Sequence, residues 1–141
     1  MSGVATPKMA GTDKERVASG DYADVWLFGE ALTEWKAVCR RKDDNSRRAT
    51  QRIERYFLRF AEKGPTAFTE EMYKQVKRVK ARGGNEPMIC EFKAYQFRLY
   101  GVVREYQGKR SFLGTACDPA KKNNKADQAI LRRAADAADK I

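Results

Sequence analysis

The sequence has no histidine. That absence removes the usual general base near neutral pH, the commonest zinc ligand, and every Ser-His-Asp or Cys-His catalytic arrangement. Any catalysis must therefore run on lysine, arginine, tyrosine or carboxylates. Cysteine is sparse: Cys39, Cys90 and Cys117 are odd in number and widely spaced, each in an expected helix, strand or strand end. Such a pattern suits buried free thiols better than a disulfide framework and points to a reducing, cytoplasmic setting. No run approaches the length of a membrane span, and residues 1–20 have no apolar core behind a basic start, so neither secretion nor membrane insertion is expected. There is no internal repeat and no phosphate-binding loop. Gly83-Gly84 alone satisfies no nucleotide fingerprint, and no cofactor or metal is implied.

Positive charge is what the chain has in excess. Twenty-nine lysines and arginines against 19 acidic residues leave +10 on 141 residues. This favours a polyanionic partner, nucleic acid foremost, with a merely solubilising surface as the alternative. The densest cluster is Lys74, Lys77, Arg78, Lys80 and Arg82.

The length suits one domain, and its organising stretch is Met88 to Ala116, which reads as an antiparallel β-meander. Met88, Cys90 and Phe92 alternate with Ile89, Glu91 and Lys93. In the next strand Tyr95, Phe97, Leu99, Gly101 and Val103 share one face, and Gln96, Arg98, Tyr100, Val102 and Arg104 the other, a half-cationic face expected to stand open. Gly108 supplies the positive φ of a hairpin turn before a third strand over Ser111 to Ala116. Asp24 to Phe28 predicts one more strand. Ala31, Leu32, Trp35, Val38 and Cys39 mark an amphipathic helix over Glu30 to Arg41. Ala49, Ile53, Tyr56, Phe57, Phe60 and Ala61 mark a longer one ending at Gly64-Pro65, and the tryptophans Trp26 and Trp35 read as packing residues. The second helix carries Arg47, Arg48, Arg52, Arg55 and Arg59 outward, either a solvated face beside Glu54 and Glu62 or a binding stripe. Thr69-Glu70-Glu71 predicts a short helical turn, and Ala126 to Ile141 a last helix with Ile130, Ala134, Ala137 and Ile141 inward. Residues 1–22 are expected to form a flexible arm, with local helicity over Asp13 to Ala18, and residues 23–141 a single α+β domain.

The order strand, helix, helix, basic connection, meander, basic loop, helix resembles the RelE/HigB-like toxins of type II toxin–antitoxin systems, small proteins that cut mRNA on the ribosome. Trp26-Leu27-Phe28-Gly29-Glu30-Ala31-Leu32-Thr33-Glu34-Trp35 looks like that family's first strand running into its first helix. Phe97-Arg98-Leu99-Tyr100 looks like its central strand with the characteristic arginine. Lys121-Lys122-Asn123 followed by Ala129-Ile130-Leu131-Arg132-Arg133-Ala134 looks like its basic loop and terminal helix. By element order the resemblance spans Asp24 to Ala138.

The resemblance implies a RelE-like α+β fold and a metal-independent endoribonuclease, with mRNA, the ribosome and a cognate antitoxin as partners. It implies Arg98 as stabiliser of phosphoryl charge, Lys93 as base, and Lys121 and Lys122 as phosphate grip or acid. Candidate nucleic-acid contacts are Lys77, Arg78, Lys80, Arg82, Tyr100, Arg104 and Lys125. No tyrosine follows Tyr106. Tyr95, a core residue by its parity, or Tyr100 would thus stand in for the tyrosine some members carry near the final helix. The alternatives are a non-catalytic nucleic-acid-binding module and a protein-interaction module of phage or mobile-element origin.

Overall fold

The computed structural model describes residues 13–121 and 127–141. Strands β1 (Lys14–Ser19) and β2 (Asp24–Phe28) are followed by helices α1 (Gly29–Cys39) and α2 (Asp44–Lys63). Then come strands β3 (Tyr73–Arg78), β4 (Met88–Ala94), β5 (Phe97–Tyr106) and β6 (Lys109–Asp118), and helix α3 (Gln128–Asp139). One six-stranded sheet runs in the order β1-β2-β6-β5-β4-β3. Its neighbours are antiparallel except β2 and β6, which are parallel. The α+β class, the meander, the helical hairpin and the C-terminal helix all lie where the sequence periodicities place them. No helix among the described residues is long and apolar enough to cross a membrane.

Local chemistry explains the boundaries. The Asp43 carboxylate accepts from the Ser46 amide at 3.0 Å and caps the start of α2. Gly64 closes that helix at φ 80°, its amide donating back to Phe60 O at 2.9 Å. Gln107 and Gly108, at φ 53° and 80°, make the tight β5–β6 turn. Pairing between those strands jumps from Tyr100↔Ala116 to Gly101↔Gly114, so Thr115 bulges out of the ladder. A Cβ at Gly101 would strike the Leu113 carbonyl, which is why the bulge needs glycine opposite it.

The sheet is covered on both faces. Val25, Leu27, Phe92, Phe97, Leu99 and Phe112 pack against α1 and α2, while Ile89, Tyr100, Val102, Leu113 and Ala116 pack against α3. The half-cationic face expected to stand open is therefore roofed by the C-terminal helix, because its alternate residues include Tyr100 and Val102, which need covering as much as the opposite row. The helix buries Leu131, Ala134, Ala135 and Ala138 rather than Ile130, Ala137 and Ile141. Its apolar stripe is rotated so that Leu131, not Ile130, enters the core.

Four further expectations change. Residues 14–19 form a strand, neither helix nor arm, because they pair along β2 and Ala18 joins the core; residues 1–12 lie outside the described set. Lys74, Lys77 and Arg78 sit in edge strand β3, not in a connection; the single turn expected after Thr69 is present, with the Met72 and Tyr73 amides donating to Thr69 O at 3.0 and 3.1 Å. Tyr95 is 48% exposed rather than core. The Ala94↔Phe97 pairing leaves it in a two-residue turn at φ 57°, where strand parity no longer applies. Cys39 is exposed, whereas Cys90 and Cys117 are buried.

Candidate functional site

The register of the meander decides which candidates meet. Lys93 on β4 lies directly opposite Arg98 on β5, and Asp118 on β6 lies opposite Arg98 on its other side. Glu91, two residues before Lys93, shares its face and pairs with Tyr100. Just beyond β6, the Lys121 amide donates to Gln96 O at 2.8 Å, which brings the end of β6 against the β4–β5 turn. Lys93, Arg98 and Lys121 thus gather at one end of the sheet. Lys122 and Lys125 lie outside the described residues.

Arg98 does not stand out into solvent. It is 9% exposed; Nη1 donates to Tyr95 O at 2.6 Å and to Phe97 O at 3.1 Å, and Nε lies 3.4 Å from Glu91 Oε2. That last contact is an ion pair without hydrogen-bond alignment, since Nε is buried with no hydrogen-bond partner. Glu91 is 5% exposed, and its contact with Arg98 Nε is an ion pair at 3.4 Å. A carboxylate has two oxygens with several acceptor sites, so one ion pair leaves it room to accept a hydroxyl hydrogen bond. Sequence reasoning alone passes over Glu91 as one member of an alternating strand. The signal that could find it is the exclusion of histidine, which leaves carboxylates as bases, together with its position across the ladder from Tyr100 and two pairs from Arg98 on the same face.

Tyr100 is buried beneath α3, and burial, followed by the nearby Glu91 charge, pushes its phenol well above the ordinary value. It remains a neutral hydroxyl. The Cys90 and Cys117 thiols are likewise pushed up, chiefly by burial, so neither is an activated nucleophile. No group of histidine, cysteine, aspartate and glutamate able to hold a metal occurs among the described residues.

The remaining basic candidates are spread along the sheet edge and under α3. Lys77 Nζ bonds Gln128 Oε1 at 3.1 Å, and Arg78 Nη1 bonds Glu86 O at 3.0 Å. Lys80 is exposed, and Arg82 pairs with Asp136 through its amide at 2.8 Å and its Nε at 3.7 Å. Arg104 Nη2 donates to Ala138 O at 2.7 Å, which ties down the end of α3. None of these joins the Glu91–Arg98 pair. A cavity of about 610 Å³ also lies away from it, between Lys14, Phe28, Glu30, Tyr106 and the C-terminal half of α3. It is bounded by the Arg133–Glu30 ion pair and lacks the converging unpaired groups that reaction chemistry needs.

No protein-family model, no curated protein and no solved structure matches this chain.

Proposed function

We propose that this protein is a RelE/HigB-like toxin that cleaves mRNA on the ribosome without a metal ion, with Glu91 and Arg98 as its central pair and an antitoxin protein as its restraint. The observation that carries the reading is the buried Glu91–Arg98 contact, flanked by Lys93 across the ladder and by Lys121 beside the β4–β5 turn. The element order of the resemblance supports the same reading.

The chemistry follows from those groups. Glu91 takes the proton of a ribose 2′-hydroxyl, whose oxygen attacks the adjacent phosphorus. The guanidinium of Arg98 offsets the charge that grows on the phosphoryl oxygens. A 2′,3′-cyclic phosphate forms as the bond from phosphorus to the 5′-oxygen breaks, and an ammonium, Lys93 or Lys121, returns a proton to that leaving oxygen. This moves the role of base from Lys93 to Glu91.

A second reading, a non-catalytic nucleic-acid-binding module, is favoured by one feature: Arg98 already spends Nη1 on two backbone carbonyls. Cleavage in a translation mixture separates them. Purified protein is expected to cut mRNA and leave 2′,3′-cyclic phosphate ends, with Glu91→Gln and Arg98→Ala each slowed by about 10²- to 10⁴-fold. Salt-sensitive RNA binding with no product selects the second reading. Wild-type cleavage rates in both variants remove the proposed roles.

A further inference from the structure

We infer that the outer face of α2 and the β4–β5 turn form a track for single-stranded RNA, with a seat for one nucleobase beside Tyr95, leading to the Glu91–Arg98 pair. The inference rests on RNA being the substrate, as proposed above. Arg48, Arg52, Arg55 and Arg59 fall on one face of α2, one per turn, and all are exposed. Like charges at this spacing repel one another along a helix. Glu54 and Glu62 would pair with them on an ordinary solvated face, yet no ion pair joins any of the four to an acid among the described residues. The ridge is also arginine throughout, the side chain suited to two-pronged phosphate contact.

Tyr95 connects this ridge to the reacting pair. Its backbone sits at φ 57°, a region uncommon for a bulky residue, and it is 48% exposed. The Arg52 guanidinium lies 4.9 Å over its ring, while its carbonyl accepts the 2.6 Å bond from Arg98. Next to it opens a groove of about 410 Å³ whose lining includes Arg41, Asp43, Asn45, Gln96 and Phe97 as well as Tyr95, the Asp43 carboxylate being engaged in capping α2. The exposed tyrosine ring supplies aromatic surface, with Val38 and Phe97 buried beneath the groove; Asn45 and Gln96 supply amides that both donate and accept. That combination fits the face and edge of an unpaired base, with the ridge alongside for phosphates. An acidic peptide would engage the arginines but leave the ring and amides unused, and a duplex keeps its bases stacked away from Tyr95.

The test is fluorescence anisotropy of the full chain with a labelled single-stranded RNA of about ten nucleotides, titrated with salt. Tyr95→Ala is expected to weaken binding about tenfold with the salt slope unchanged, and Tyr95→Trp to restore it. Replacing Arg52, Arg55 and Arg59 together by glutamine lowers the slope by about 0.7 for each phosphate that the ridge no longer neutralises. Thermal melting followed by circular dichroism verifies that each variant is folded. Equal affinity for a duplex of the same sequence overturns the track, and so does unchanged binding in the folded variants. Cleavage keeps the two proposals apart. A wild type that binds with these dependences yet makes no product removes the endonuclease and leaves the track. Normal cutting by the folded Tyr95→Ala and triple-arginine variants removes the track and leaves the endonuclease.

Discussion

Beneath α1 and α2 the sheet presents Phe92, Phe97, Leu99 and Phe112; beneath α3 it presents Ile89, Tyr100 and Leu113 together with Glu91, Arg98 and Thr115. The first face is closed by rings. Phe92 lies 4.8 Å from both Tyr73 and Phe112 and 5.6 Å from Phe60, mostly edge to face. The second is closed by an alanine-rich helix whose small side chains let its backbone come close. Thr115 Oγ1 reaches Ala134 O at 2.8 Å and Arg104 Nη2 reaches Ala138 O at 2.7 Å. A dry aromatic face fixes the architecture by area burial alone. A face held partly by polar contacts to a helix backbone tolerates a buried ion pair at its margin, and that is where the candidate chemistry lies.

The largest expected effect tests the dry face. Phe92→Ala should cost about 4 kcal/mol in urea unfolding and Leu131→Ala, its counterpart under α3, about 3 kcal/mol. If Leu131→Ala costs more, the ranking of the two faces is reversed. Next comes the polar margin. Glu91→Leu and Arg98→Met should each cost about 2 to 3 kcal/mol, because each leaves an unpaired buried charge, while the double variant costs less than the two singles combined. Strictly additive losses would mean that the 3.4 Å contact carries no coupling.

Much of this contrast is legible in the sequence. Period-two alternation over Met88 to Val103 and the 3.6-residue stripe through Ile53, Phe57 and Phe60 place the meander, the hairpin and the aromatic face. What periodicity does not show is the second cover. A row reading Arg98, Tyr100, Val102, Arg104 is compatible with water or with a helix, and only the three-dimensional docking of α3 decides it. Tyr95 escapes its parity because a tight turn resets the alternation that assigns it to the core. Residues 14–19 carry almost no apolar signal, since edge strand β1 is made by backbone pairing to β2 and buries little beyond Ala18. Glu91 becomes a candidate only through its distance to Arg98, information that spacing along one strand does not contain.

The smallest expected effect separates two buried carboxylates that look alike by burial. Asp24, 6% exposed, accepts from Ser19 Oγ at 2.6 Å and from Lys109 Nζ at 2.8 Å, with Arg16 3.6 Å away. Glu91 has the Arg98 ion pair at 3.4 Å. Full satisfaction marks Asp24 as structural, a clamp joining β1, β2 and β6. Burial by itself would raise its pKa, but the hydrogen bonds from Lys109 and Ser19 and the charges of Lys109 and Arg16 outweigh it and hold the carboxyl below the ordinary value. A folded-state value below the unfolded one gives stability that is present in full above the unfolded value of about 3.9 and lost as pH falls through the folded value. Asp24→Asn should therefore lower the melting temperature modestly at pH 7, with the gap to wild type closing below about pH 4. On the proposed function it should leave RNA cleavage untouched, whereas Glu91→Gln should slow it by about 10²- to 10⁴-fold. A gap that stays constant down to strong acid would show that the Asp24 carboxylate is not the clamp, and loss of cleavage in folded Asp24→Asn would erase the distinction between a satisfied and a reactive carboxylate.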